Sequence, residues 1–288
     1  MLDINGVQHV FTTDAGQRIE ALRNVGLSIP HGQILCLVGP SGCGKSTFLK
    51  ILGGFFPPTS GEVLSGSQES ELQVVSGPGV DRGVVFQQPN LFPWLTVQDN
   101  VRLGSTFTGS AQERKEADEL VELVGLQAAK KRYPHELSGG MQQRAQIARV
   151  LAASPETVLM DEPFSALDPF TREQLQAELL RIWHRYRPTI VFVTHSVEEA
   201  ILLGHRVVVM APNPGRIIDD VVVPEQVRGS SWLQDASDAP GENVPSREAL
   251  QERLRELTAD PQFVDLRRHL TEAITNAHRN GEREQAIA

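Results

Sequence analysis

The chain has 288 residues, 40% hydrophobic and 22% charged, with 27 basic against 36 acidic side chains and a formal charge of −9. That composition can bury a large core, is far from the disordered range, and argues against the broad basic footprint of a nucleic-acid-binding protein, a conclusion that short runs such as Lys130-Lys131-Arg132 do not change. No stretch reaches the ~18 to 20 apolar residues that cross a bilayer, and Met1-Leu2-Asp3-Ile4 lacks the basic and apolar regions of a secretion signal, so any membrane role requires docking through a partner.

In chain order, the apolar run Ile34-Leu35-Cys36-Leu37-Val38 reads as a buried strand, and it leads into Gly39-Pro40-Ser41-Gly42-Cys43-Gly44-Lys45-Ser46-Thr47. This nonapeptide matches G-x-x-x-x-G-K-[ST]. Its glycines let backbone N–H groups turn inward around phosphates, and a helix beginning near Lys45 adds its positive end to the same anion. Lys45 is expected to hold the β- and γ-phosphates and Ser46 to ligate Mg²⁺. The two cysteines, Cys36 and Cys43, form neither a disulfide framework nor a metal spacing, which suits a reducing cytoplasm. Modification of Cys43 by a bulky thiol reagent is expected to block nucleotide.

Gln87 follows the apolar strand Val84-Val85-Phe86, and the loop after it, Pro89 to Val97, places Phe92, Trp94 and Leu95 beside prolines. Large apolar residues in a surface loop suggest a docking site, against the plainer reading of a satellite hydrophobic cluster. Gln112 to Val124 has helical patterning. Ser138 is a good N-cap for a helix from Met141 to Ala153, and with Gly139 and Gly140 it forms an exposed helix start that attracts an anion. Whose phosphate that is cannot be read from the residues.

The apolar strand Thr157 to Met160 ends in Asp161-Glu162, whose adjacent side chains face opposite ways. Asp161 is placed to reach the Mg²⁺ shell, and Glu162, bent out before Pro163, to orient and deprotonate water. His195 ends the strand Ile190 to Thr194, and Asn213-Pro214-Gly215 reads as a hairpin turn between Val207 to Met210 and Ile217-Ile218. Strands alternating with helices favour an α/β sheet covered on both faces, with a nucleotide-binding lobe built from residues 1 to about 88 and 155 to about 222, and a helical lobe at 89–154. After Pro224, residues 229–244 read as a surface linker, followed by two short amphipathic helices. Leu250, Leu254 and Leu257 mark the first apolar face, and Phe263, Leu266, Leu270 and Ile274 the second.

The octapeptide Leu137-Ser138-Gly139-Gly140-Met141-Gln142-Gln143-Arg144 resembles the signature of the ATP-binding cassette (ABC) family, and the other motifs fall in that family's order. The resemblance spans about residues 1–222 and implies a P-loop NTPase (RecA-like) core with an antiparallel β subdomain and a helical signature subdomain, leaving 223–288 as a tail. It implies that Ser138, Gly139 and Gly140 contact the nucleotide of an opposing subunit. It further implies that Gln87 senses Mg²⁺ and the attacking water, that Ser165-Ala166-Leu167-Asp168 crosses the dimer interface, that His195 touches the γ-phosphate, and that Phe11 stacks on adenine. ATP and Mg²⁺, a homodimer, transmembrane permease subunits, a separate substrate-binding protein and a peripheral position on the cytoplasmic face of the inner membrane come with it.

Within that family the chain is similar to the importer group for nitrate, sulfonate and taurine. The similarity lies in Gly77 to Gln87, Pro93 to Val101, Asp161 to Gln174 and Asp260-Pro261-Gln262-Phe263. Ser196 departs from the group's aspartate, Ser165 from its glycine, and 229–244 is longer. Two alternatives stay open: a soluble cassette ATPase not coupled to transport, and an exporter or lipid-extraction ATPase.

Overall fold

The computed structural model describes residues 1–108, 110–165, 167–234 and 245–287. Two antiparallel strands, β1 (Leu2–Thr12) and β2 (Arg18–Ile29), precede the fully buried β3 (Ile34–Val38) and α1 (Lys45–Leu52). Next come β4 (Ser60–Ser65), β5 (Gln73–Val74) and β6 (Arg82–Val85), and then the helical stretch α2 (Val97–Val101), α3 (Leu103–Thr108), α4 (Ala111–Leu123) and α5 (Gly139–Leu151). The chain returns through β7 (Thr157–Asp161), α6 (Pro169–Tyr186), β8 (Thr189–Val193), α7 (Val197–Leu203), β9 (Arg206–Ala211) and β10 (Arg216–Val222). It ends in α8 (Ser231–Gln234), α9 (Arg247–Leu257) and α10 (Pro261–Ile287).

The central sheet has the order β10-β9-β3-β8-β7-β6. All its pairs are parallel except the edge hairpin β9–β10. Because side chains alternate along a strand, this sheet divides two cores. Ile34, Cys36 and Val38 of β3, with Ile190 and Phe192 of β8, join the core beneath the helical lobe, α6, α7 and α9. Leu35 and Leu37, with Val191 and Val193, join the other core, under α1 and the four-stranded antiparallel sheet β2-β1-β4-β5. Each fully buried Leu, Ile or Val contributes about 1.5–3 kcal/mol by leaving water, so both registers are tightly specified. The expected α/β core with an antiparallel β subdomain is therefore present.

The two sheets are joined beside the phosphate loop: Arg23 N donates to Gly215 O at 2.9 Å and Gly215 N to Ala21 O at 3.0 Å. The Asn213-Pro214-Gly215 turn thus closes the β9–β10 hairpin and anchors β2.

The tail differs from its sequence reading at two points. Gly229 N donates to Leu202 O at 2.9 Å, and Ser230 and Leu233 are buried, so the segment read as a surface linker begins as packed structure. Its residues 235–244 lie outside the described ones. The second helix is not short, because α10 runs 27 residues. Beyond Ile274 its packing is continued by buried Ala277 and Gly281, which are too small to register as an apolar face. The apolar residues of α9, Leu250, Leu254 and Leu257, are buried against the core, as are Phe263 and Leu270 of α10. In Asp260-Pro261-Gln262-Phe263, Asp260 Oδ1 accepts from Gln262 N at 2.8 Å at the start of α10.

Candidate nucleotide site

The phosphate loop bends out of β3 where only glycine fits. Gly39 has φ +153°, and a Cβ there would lie 2.4 Å from the Met210 carbonyl oxygen. The following helix, α1, starts after Gly44 with no side-chain cap. The N-cap position thus offers no side chain to compete for the first-turn N–H groups beside the loop, a cradle suited to an anion. Ser41 and Gly42 are exposed and Pro40 buried, while Thr47 is half-buried on α1. Lys45 is 7% exposed, and its Nζ donates to Gly39 O at 2.8 Å and to Pro40 O at 3.0 Å. Those two carbonyls hold the ammonium at the loop.

Cys43 corrects one expectation. Its side chain is fully buried in the core beneath α1, 3.7 Å from Lys45 Nζ, and burial pushes its thiol above the usual range against the opposing effect of Lys45. A bulky reagent meets a buried, protonated thiol, so Cys43 in the folded protein is expected to resist modification for as long as the core holds.

Asp161 ends β7 beside α1, and Ser46 Oγ donates to its Oδ1 at 3.0 Å. Burial raises the Asp161 carboxyl above its ordinary range; the Ser46 hydrogen bond opposes this and the neighbouring Glu162 charge adds to it. A divalent cation would relieve that desolvated carboxylate. Among the described residues no group of three or more His, Cys, Asp or Glu side chains forms a metal cage. The adjacent oxygens of Ser46 and the desolvated Asp161 fit Mg²⁺, which takes few protein ligands and completes its shell with phosphate and water.

Glu162 leaves the strand direction with φ 45°, a left-handed conformation uncommon for this residue type, while its N–H still donates to Val193 O at 3.0 Å. Its carboxylate is where two further motifs meet. Gln87 Nε2 lies 3.4 Å from Glu162 Oε2 and 3.5 Å from Ser165 Oγ, and His195 Nδ1 lies 3.6 Å from the same Glu162 oxygen. These contacts are long for hydrogen bonds and converge on one carboxylate at the open end of the parallel sheet. Gln87 and His195 are exposed and Glu162 is half-buried. A carboxylate faced by two polar side chains is an arrangement that can hold a water between them.

The remaining positions lie apart from this cluster. Ser138 caps α5, its Oγ accepting from Met141 N at 3.3 Å, with Ser138 and Gly139 exposed and Gly140 half-buried. Asp168 is exposed and caps α6, accepting from Thr171 N at 3.0 Å. Ala166 lies outside the described residues. Phe11, 37% exposed, packs edge-on against His9 and Phe56 at ring centroid distances of 4.5 and 5.9 Å.

In the loop after Gln87, Trp94 is 69% exposed and lies 5.4 Å from Phe92, whose ring also carries the Arg149 guanidinium at 5.5 Å. A satellite core residue would not be so exposed, which removes the plainer reading for Trp94. Sequence reasoning missed what holds this loop. Buried Asn100 accepts from Phe92 N at 2.8 Å and donates to the carbonyls of Phe92, Leu95 and Thr96 at 3.0–3.2 Å. Arg149 of α5 donates to Asn90 O at 2.9 Å, which ties the loop to the signature helix. The only sequence signal for either is a polar residue on an otherwise apolar helical face.

The ABC transporter family matches residues 22–165. A taurine import ATP-binding protein of Roseobacter denitrificans is 45% identical over 225 residues, covering 77% of this chain and 82% of that protein. A protein of the same description from Jannaschia sp. is 40% identical over 271 residues, 93% of this chain and 92% of its own length. The chain belongs to the ABC transporter family. Among solved structures, a dimeric ATP-binding cassette in a post-hydrolysis state bound to ADP and Pi superposes on this cassette with TM-score 0.68 and 33% identity, covering 78% of this chain and 99% of the other. The cassette is thus an ATP-binding P-loop NTPase and an ATPase. No described helix is long and apolar enough to cross a membrane.

Proposed function

We propose that this cassette powers import of taurine or a related aliphatic sulfonate, as one of two identical ATPase subunits attached to transmembrane permease subunits at the cytoplasmic face of the inner membrane. The observation that carries the reading is the meeting of Gln87 and His195 on the Glu162 carboxylate beside the Ser46–Asp161 pair. One chain supplies Lys45 and the phosphate loop to the β- and γ-phosphates, with Phe11 against the adenine. Ser46, Asp161 and Gln87 would hold Mg²⁺, which neutralises phosphate charge. Glu162 accepts the proton of the attacking water, and Gln87 and His195 position it.

The exposed Ser138, Gly139 and Gly140, with Asp168, serve the nucleotide of a second copy. Because the terminal phosphate bridges the two copies, its release removes the contacts that favour the closed pair, and the permease follows that change. Phe92, Trp94 and Leu95 form the socket for a permease helix, held in shape by Asn100.

Taurine is favoured over nitrate by the likeness to the taurine import proteins of Roseobacter and Jannaschia, the second of which aligns over 93% of this chain. In vesicles containing the cassette, its permease and its binding protein, taurine should stimulate ATP hydrolysis. Stimulation by nitrate and none by taurine or another sulfonate would overturn the substrate assignment. Trp94→Ala should abolish that stimulation while ATP binding by the isolated cassette stays within about twofold of normal, since Trp94 is an exposed anchor of the kind that dominates interface energy. Normal stimulation in that variant would remove the socket.

A further inference from the structure

Behind His195 lies a buried polar chain that ATP binding and water activation do not use. Thr194 Oγ1 donates to Glu199 Oε2 at 2.6 Å and accepts from Ser196 N at 3.0 Å. The residues on either side of His195 are therefore tied to one carboxylate on α7. Glu199 is 6% exposed; burial raises its carboxyl above the ordinary range, opposed first by the Thr194 hydrogen bond and then by Arg172.

The other Glu199 oxygen faces α6, with Gln176 Nε2 and Arg172 Nε each 3.5 Å away. Arg172 Nη2 donates to the carbonyl of Leu167 at 3.0 Å, one residue before Asp168. Leu167 and Thr171 in turn form the surface on which the start of α5 sits, since a Cβ on Gly140 would lie 2.8 Å from Thr171 Cγ2 and 3.4 Å from Leu167 Cδ2. One continuous set of contacts thus runs from the His195 loop, through α7 and α6, to Asp168 and Gly140.

Its weakest joint is the Arg172–Glu199 contact. At 3.5 Å this is an ion pair rather than a hydrogen bond, and Arg172 Nε is buried with no hydrogen-bond partner. A shift of about half an ångström between α6 and α7 would complete the bond and satisfy a buried donor. A contact that a small shift would complete is the kind of joint a two-state element needs.

We propose that the Arg172–Glu199 pair is the positioning link that transmits displacement of the His195 loop to Asp168 and the Gly140 helix start, so that the phosphate state of one half-site sets the placement of the segments that meet the second copy. The link rests on the reading above, in which His195 faces the terminal phosphate and Asp168 and Gly140 face the partner copy. Neither Arg172 nor Glu199 touches ATP. Their removal should therefore leave binding of nucleotide to a single copy intact and weaken what the two copies do together.

The test uses the full chain carrying Arg172→Ala, Arg172→Lys, Glu199→Gln or the first and last combined, each alone and with Glu162→Gln. Arg172→Ala leaves a buried carboxylate without its counter-charge and could fail to fold, whereas Glu199→Gln keeps the side chain's shape and one acceptor oxygen, removes the charge, and serves as the safer variant. Magnesium-free ATP affinity of the monomer should stay within about twofold. ATPase turnover should fall about tenfold with the Hill coefficient for ATP approaching one, and in the Glu162→Gln background the ATP needed for half-maximal dimerisation should rise about tenfold. Arg172→Lys should recover part of the loss, and the double variant should be no worse than the more affected single, as for two halves of one contact.

If the folded variants lose only melting temperature, with cooperativity and dimerisation within about twofold of the parent, the pair is structural and the inference falls. If Glu162→Gln alone stays monomeric in ATP, the two-copy reading fails first and takes this link with it.

Discussion

Two helix starts in this cassette are built in opposite ways. At α1 the chain withholds a cap: Gly44 precedes the first turn with no side-chain hydrogen bond, and the lysine beside it is buried against loop carbonyls. At α5 the chain supplies its own cap, and Ser138 and Gly139 stand exposed. A helix start that follows a glycine-rich loop, with a buried lysine beside it, suits an anion, whereas a capped, glycine-flanked start tolerates water and can wait for a partner surface. The contrast fits the proposed division, in which one chain holds nucleotide and a second copy is needed to use it.

The sharpest way to break the contrast is to stop hydrolysis after both starts have engaged. Glu162→Gln removes the proposed base for the attacking water while keeping the side chain's shape. Turnover should fall by about 10²–10⁴-fold, and size-exclusion chromatography in MgATP should show a stable dimer. A monomer at saturating MgATP would contradict the division of labour.

The strand that carries the phosphate loop, β3, has an acid limit. His205 Nδ1 accepts from Ile34 N at 3.0 Å at the head of β3, and burial, aided by Arg228, lowers the imidazole to about 4. The neutral form is the folded form. Stability is therefore whole above the unfolded pKa near 6.5, is lost as pH falls from there toward about 4, and changes no further below it through this group; the loss saturates near 3 kcal/mol. Urea unfolding of the wild type and His205→Gln should diverge across that window and run parallel outside it.

Gly39→Ala attacks the same side through the backbone. The new methyl would sit 2.4 Å from the Met210 carbonyl oxygen in a conformation that side chains rarely adopt. About 2 kcal/mol of stability should be lost, and ATP affinity with it, while helix α5 keeps its protection from hydrogen exchange.

How far these features were legible in the sequence follows from their range. Ile34 to Val38 and Thr157 to Met160 read as buried strands because a central parallel sheet covers both faces, and both are strands with the expected bounds to within a residue. The length of α10 was not legible, since its far half packs through Ala277 and Gly281 rather than through large apolar residues. The motif residues could be picked out by spacing, but not which of them touch: Gln87 and His195 reach Glu162 only because β6, β7 and β8 lie side by side. The roles of Asn100, Arg149, Arg172 and Glu199 were not legible, because their partners are backbone carbonyls or polar groups on other elements, which a linear pattern does not identify.

The smallest change tests the α5 side alone. Ser138→Ala deletes the acceptor for Met141 N and should cost about 1 kcal/mol of local helix stability, visible as faster exchange in the first turn of α5. If that hydroxyl serves only its own helix, the loss stops there and ATP turnover changes little. If it also meets the partner's phosphate, the Met141 N–H and the hydroxyl are disturbed together, and turnover should fall several-fold while nucleotide binding by the monomer is untouched. Ser138→Gly separates the two effects: glycine restores most of the capping preference but none of the hydroxyl, so helix exchange should recover and turnover should not.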